Sequence, residues 1–169
     1  MKITTPFDPT KMPDKYGKYA DEQDRYQGEP VVSFPFNISD VPAEAKSLAF
    51  TLIDHDAIPV AGFSWIHWVV ANVPVTMTTI PADFSRQAVA PVVQGANSNM
   101  SKFVGGIDPA LTIGYSGPVP PDQDHDYTLT VYALDAELDL PDGYYLNALY
   151  HAMAGKVLAE TNIAITSRA

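Results

Sequence analysis

The run Trp65-Ile66-His67-Trp68-Val69-Val70-Ala71-Asn72-Val73-Pro74 is the most restrictive stretch of this 169-residue chain. From Trp65 to Val73 nearly every side chain is aromatic or aliphatic and several are β-branched, which suits a pleated surface covered on both faces. A central strand is therefore predicted. With a period of two, Trp65, His67, Val69, Ala71 and Val73 fall on one face and Ile66, Trp68, Val70 and Asn72 on the other. His67 is then the polar exception on an apolar face, and a buried imidazole needs a partner for at least one ring nitrogen. The nearest supplier in sequence is the acidic turn Asp54-His55-Asp56 just upstream.

The rest of the chain reads as elements packed around that strand. A first strand is expected over residues 31–36. A second, over 47–53, places Leu48, Phe50 and Leu52 on one side and delivers the chain to Asp54. A third, over 127–134, puts His125 and Tyr127 on one side if it starts early. Apolar residues at Leu146, Leu149, Tyr150, Met153 and Val157 predict one good helix over 144–159, with Gly155 inside it, and a closing strand follows over 160–166. Residues 1–30 show no sustained periodicity and are expected to wrap the surface of a single domain spanning 1–169. Residues 74–104 and the following Gly105-Gly106 read as a long excursion, and Ser116-Gly117-Pro118-Val119-Pro120-Pro121 as a rigid turn whose glycine permits close approach of a ligand.

Charge narrows the function classes. Lys and Arg number 10 against 20 Asp and Glu, and the net charge of −10 argues against nucleic acid or an anionic membrane as a partner. Between Ser47 and Gly155 the only full positive charges are Arg86 and Lys102, so an anion held near His67 must rely on imidazoles, hydroxyls and backbone N–H groups. The absence of cysteine removes disulfides, thiolate catalysis and Cys-based metal sites. No stretch reads as a signal peptide or a membrane span, so a cytoplasmic protein is expected.

Several motifs in order carry a family likeness. They are Asp54-x-Asp56-Ala57-x-Pro59, His67-Trp68-Val69-Val70-Ala71-Asn72-Val73-Pro74, Gly95-x-Asn97-Ser98, Gly114-Tyr115-x-Gly117-Pro118-x-Pro120-Pro121, His125-x-Tyr127 and Val131-Tyr132-Ala133-Leu134-Asp135. This set resembles the phosphatidylethanolamine-binding protein family, in particular its prokaryotic Raf-kinase-inhibitor-like branch, over roughly residues 30–165. The resemblance implies an all-β fold with peripheral helices, an antiparallel β-sandwich-like arrangement with a C-terminal helix. It implies a small pocket for phosphate, phosphoethanolamine or a phospholipid head group. Asp54, Asp56 and Pro59 would line one wall, His67 would be the floor, and Gly117, Pro118, His125 and Tyr127 would form the opposite wall. It further implies a protein partner regulated in kinase-inhibitor fashion, and a homodimer. Two departures stand out: His55 replaces the first proline of the usual Asp-Pro-Asp-Ala-Pro with Ile58 inserted before Pro59, and the segment 99–113 is longer than is typical.

The blander readings bear on each residue. A lone buried His67 is usually a hydrogen-bonded core histidine, and only a companion such as His125 shifts the balance toward a site. The Asp54/His55/Asp56 cluster with both histidines contains ordinary metal ligands, yet no spacing is diagnostic, and neither a metal nor a cofactor is expected. His55 reads as solvated and His151 as a surface or packing residue. The alternative function is a hydrolase of phosphate or carboxylic esters using Ser98 or Ser116, although no Gly-x-Ser-x-Gly pattern is present. A non-catalytic anion-binding protein is the expectation, with affinity that weakens as pH rises through the histidine range.

Overall fold

The computed structural model describes residues 1–104 and 108–169, so Gly105 and Gly106 of the expected excursion lie outside it. In chain order the strands are β1 (Lys2–Thr4), β2 (Arg25–Tyr26), β3 (Glu29–Pro30), β4 (Phe36–Ser39), β5 (Ser47–Asp54), β6 (Trp65–Pro74), β7 (Thr79–Ile80), β8 (Val93–Gln94), β9 (His125–Leu134) and β10 (Val157–Ser167). The helices are α1 (Ile58–Ala61), α2 (Phe84–Gln87), α3 (Pro109–Thr112) and α4 (Leu146–Met153). Five strands form the main sheet in the order β10-β9-β5-β6-β8, three form a second sheet in the order β1-β4-β7, and β2 and β3 make a separate ribbon. Every pairing among the described strands is antiparallel. The fold is all-β and sandwich-like, with its helices at the periphery. None of the described helices is long and apolar enough to cross a membrane.

The largest core cluster lies between the two sheets. Phe36, Ile38 and Ile80 from the small sheet meet Leu48, Phe50, Leu52, Trp68, Val70, Leu129 and Val131 from the large one. Trp68 is fully buried and makes edge contacts with Phe50 at 4.8 Å and Tyr115 at 5.3 Å between ring centroids, geometry that aromatic quadrupoles favour. A second cluster covers the other face of the large sheet, where Ala49, Val69, Ala71, Tyr132 and Leu134 meet Leu138, Tyr144, Leu149 and Met153. Burial on both faces is why β5 and β6 read as continuous apolar runs.

The expected alternation of β6 fails, and its register shows why. Leu48 pairs with Val73 but Phe50 with Val70, and Leu52 pairs with Trp68 but Ile53 with Ile66. Each jump inserts an extra residue into β6, one near Asn72 and one at His67. Trp68, Val70 and Val73 consequently face the inter-sheet core, while Ile66, Val69 and Ala71 face the opposite cluster. His67 is not one polar member of a Trp65-to-Val73 face; it is the surplus residue of a bulge.

Asn72 carries the other irregularity with φ of 60°, a left-handed conformation that Asn tolerates better than most residues. Its carboxamide is buried and grips Leu138 from both sides: Nδ2 donates to the Leu138 carbonyl at 2.8 Å, and Leu138 N–H donates to Oδ1 at 2.8 Å. Replacing Asn72 with Ala would leave the Leu138 N–H unpaired in a buried site and its carbonyl with the Leu140 N–H alone. An expected loss of about 2–3 kcal/mol in denaturant unfolding follows, whereas Asn72→Gly should recover only the smaller share due to backbone strain.

Other boundaries differ from expectation. Residues 31–35 form no ladder, and the strand begins instead at Phe36. The helix ends at Met153, not at 159, because Gly155 takes φ of 74° and Lys156 N–H folds back to the Met153 carbonyl at 2.9 Å. Val157 and Leu158 then open β10, three residues earlier than residue 160. The N-terminal segment does more than wrap the surface: it supplies β1, buries Ile3 and Met12, and pairs with β10 through Met12 N–H to Thr166 O at 2.9 Å.

Candidate functional site

Three strands converge at one end of the large sheet. Asp54, the last residue of β5, stands opposite Trp65 of β6 and Tyr127 of β9, so one row of the sheet delivers all three together. β9 does start early, at His125, and the alternation of the pleat places His125 and Tyr127 on the same side. The bulge adds His67, whose ring meets Tyr127 edge-on at 4.9 Å between centroids. A cavity of about 320 Å³ opens here, lined by Asp54, Trp65, His67, Ser116, Gly117, His125 and Tyr127, with Glu29, Asn99, Val60, Val104 and Val119 among its outer residues.

His67 is held by the segment after Gly114, not by the Asp54/Asp56 turn expected to supply its partner. Ser116 N–H donates to the His67 carbonyl at 2.9 Å, and the ring Nδ1 lies 2.7 Å from the Ser116 carbonyl. A carbonyl only accepts, so Nδ1 carries the proton and Nε2 of the neutral ring presents a lone pair. Burial pushes the His67 pKa down to about 4, against the opposing pull of the Ser116 carbonyl and the Asp54 charge and with a smaller push from His125. At neutral pH this imidazole is uncharged, and Nε2 has no partner among the described residues.

His125 is the opposite case. Its Nδ1 lies 2.8 Å from Asp54 Oδ2 and its Nε2 3.0 Å from Asp122 Oδ1. Carboxylates accept, so both nitrogens donate and the ring is an imidazolium. Burial pulls its pKa down, but the hydrogen bonds and charges of Asp54 and Asp122 outweigh that and leave it raised. Asp54, itself buried, also accepts the Ala57 N–H on Oδ1 at 3.0 Å. Tyr127 stays protonated because burial and the neighbouring Asp54 charge raise its pKa.

Among the eight residues expected to form the site, Asp54, His67, Gly117, His125 and Tyr127 line this cavity, and Asp56, Pro59 and Pro118 are not among its lining. Asp56 is exposed and accepts the Asp126 N–H at 2.9 Å, bracing the start of β9. Pro59 sits exposed in the first turn of α1, where a missing N–H is harmless. Pro118 is buried, with its carbonyl against Gly17. The glycine at 117 serves packing more than ligand approach, because a Cβ there would lie 2.8 Å from the Pro30 ring and 2.9 Å from the Tyr16 carbonyl. His55 is exposed with Nδ1 2.8 Å from Ser64 Oγ, and His151 is exposed on α4. Sequence reasoning did not find Glu29, Asn99 or Asp122.

No group of three His, Cys, Asp or Glu side chains among the described residues is arranged to hold a metal ion. Neither serine is activated by a histidine. Ser98 Oγ accepts the Ile66 N–H at 2.8 Å, and Ser116 Oγ accepts from Asn99 Nδ2 at 3.1 Å.

Comparison with known proteins places the chain. Residues 3–168 match the model of the family described as phosphatidylethanolamine-binding protein. The YxkA protein of Bacillus subtilis is 54% identical over 155 residues, which cover 92% of this chain and 92% of YxkA. Among solved structures, a phosphatidylethanolamine-binding protein homologue of Chlamydia trachomatis superposes with a TM-score of 0.77 at 30% identity, covering 99% of this chain and 96% of that one. YbcL of Escherichia coli shares the fold with a TM-score of 0.77 at 24% identity, covering 99% and 98%. The chain belongs to the phosphatidylethanolamine-binding protein family.

Proposed function

We propose that this chain is a non-catalytic binding protein whose cavity takes a small phosphoryl-bearing head group of the phosphate or phosphoethanolamine type. One observation carries the reading: His67 Nε2, a nitrogen of a buried neutral ring with no partner among the described residues, lines an otherwise largely apolar cavity. A phosphoryl group that brings a P–O–H, or takes up one proton on entry, closes a hydrogen bond with that lone pair. The two protons of Asn99 Nδ2 are committed to the Leu111 carbonyl at 3.3 Å and to Ser116 Oγ at 3.1 Å, while the Ser116 hydroxyl, also on the lining, keeps its own proton to donate. Asp54 and Asp122 hold His125 in place, so its charge tempers the acidic wall while its N–H groups stay committed.

The case against hydrolysis is chemical. A nucleophile needs a base within hydrogen-bond reach, whereas among the described residues neither Ser98 nor Ser116 is hydrogen-bonded to a site histidine: His67 Nδ1 faces a carbonyl, its Nε2 meets no hydroxyl, and His125 is protonated between carboxylates. Val60, Val104 and Val119 remain partly exposed on the lining. They offer apolar contact to whatever carries the head group, an acyl chain or a partner protein.

An amide-resolved NMR titration with phosphate and with phosphoethanolamine tests the reading. Saturable shifts are expected at Asp54, Ala57, His67, Ser116, Gly117, His125 and Tyr127, and in His67→Ala they should need markedly more ligand to reach the same extent. Shifts that are absent, or that persist unchanged in the variant, would overturn it.

A further inference from the structure

We propose that the outer edge of β10 is a self-pairing interface, along which two copies of this chain join antiparallel about a two-fold axis at Thr161 and make their large sheets continuous. An unfilled row of backbone groups points to it. β10 runs from Val157 to Ser167 at the outside of the large sheet, with β9 as its ladder partner. Thr166 shows which groups face outward: its N–H donates to the Pro9 carbonyl at 2.8 Å and its carbonyl accepts the Met12 N–H at 2.9 Å, on the side away from β9. The N–H and C=O of one residue share a side, and sides alternate along a strand, so Glu160, Asn162 and Ala164 aim their backbone groups outward as well. None of the described strands pairs with that stretch; β1 packs close to β10, but its ladder runs to β4.

Sheet edges are normally blunted against pairing. β8, at the other edge of this sheet, is two residues long, whereas β10 has eleven and contains no Lys, Arg or Pro. The bulge of β10 lies between Val157 and Ala159, before the open stretch. Its side chains suit a second copy of itself. An axis at Thr161 sets Thr161 opposite Thr161, Glu160 opposite Asn162 and Ala159 opposite Ile163. Threonine pairs are favourable across strands, and the one charge of β10 meets a carboxamide. Ala159 and Ile163 already pack against the inter-sheet core, so their pairing prolongs that apolar face, and Leu158, 43% exposed, comes toward Ala164. Other registers fail. An axis at residue 160 opposes the two Glu160 carboxylates, and one nearer the end of β10 drives the partner strand into Pro9 and Met12 at Thr166. With the axis at Thr161 the partner strand ends opposite Ile165, short of that block. The net charge of −10 on each copy opposes association, so salt should favour the dimer.

Sedimentation equilibrium of the full chain, with amide exchange followed by NMR, tests the pairing. A dimer that dissociates on dilution and strengthens with salt is expected, and the Glu160 and Asn162 amides should gain protection as it forms. Asn162→Pro deletes one outward N–H from each copy while leaving the ladder to β9 intact, and should weaken the dimer roughly thirtyfold. The same variant should bind phosphate as the wild type does, because Asn162 is remote from the cavity lining. The register is read by cysteines, since the chain has none of its own. Opposed Cα atoms of a non-hydrogen-bonded antiparallel pair stand about 4.5 Å apart, within disulfide reach. Thr161→Cys should therefore cross-link to its own copy on mild oxidation, and Ala164→Cys, which faces Leu158 of the second copy, should not. A chain that stays monomeric at millimolar concentration overturns the proposal and leaves the edge to a strand of a different protein. A dimer indifferent to Asn162→Pro, without a Thr161→Cys cross-link, overturns it in favour of another face.

Discussion

Replacing Asp54 with alanine is expected to lower the unfolding free energy by about 3–5 kcal/mol, the usual consequence of deleting one partner from a buried ion pair. Asp54 is only 3% exposed and ends β5, the middle strand of the large sheet. Its removal leaves the His125 imidazolium with the exposed Asp122 alone and strands the Ala57 N–H. The loss should depend on pH in a defined direction. His125 has a raised pKa in the folded protein, so the stability its pairing contributes is fully present below the ordinary histidine value near 6.5 and fades as pH rises through the folded value. The gap between wild type and Asp54→Ala should therefore be widest below about pH 6.5 and narrow on the alkaline side. Denaturant unfolding at several pH values reads it directly. A gap that stays constant with pH would mean that His125 is neutral in the folded protein. Asp122→Asn provides the contrast: its carboxylate is half exposed, and its loss should cost about 1 kcal/mol or less.

How far the sequence discloses this site depends on where the relevant information is stored. The period-two side-chain pattern of residues 47–53 and the His125-x-Tyr127 spacing are local, and both carry through to the structure. In β6 the same reading identified the strand and missed its phase. With both faces covered, nearly every position is apolar, so alternation carries little information, and the extra residue at His67 has no glycine or proline to betray it. Asn72 did carry a signal, since Asn is depleted in strands and enriched in left-handed conformations. Gly155 was likewise legible as a helix stop. The apolar period ran past it only because Val157 and Leu158 at the start of β10 happen to extend the helical spacing. The partner of His67 is a backbone carbonyl, at Ser116, and any residue could supply one. Glu29 and Asp122 come to the site through long-range packing and through a turn, so side-chain chemistry alone could not single them out among twenty acidic residues.

Phosphoryl binding should take up about one proton per complex above pH 6, and affinity should fall about tenfold for each further pH unit, because a phosphate monoester loses its second proton near pH 6. The sign follows from the two atoms that meet. His67 Nε2 is a bare lone pair at neutral pH, its pKa pushed down to about 4. A phosphoryl dianion presents only lone pairs as well. Two acceptors cannot bond, so the complex must hold one proton more than the separated partners, and raising pH works against it. Below about pH 6 the ligand brings that proton as a P–O–H, and affinity should level off. The break in the profile thus belongs to the ligand, well above the His67 value, and not to an ordinary histidine titration near 6.5. Calorimetry in two buffers of different ionisation enthalpy counts the proton directly, and His67→Ala should abolish both the uptake and the slope. His125, which also loses charge on the alkaline side, remains in that variant and would show as a residual slope at higher pH. A wild-type affinity that stays flat across pH 6–8 would mean that the dianion is held by donors such as the Ser116 hydroxyl, without His67.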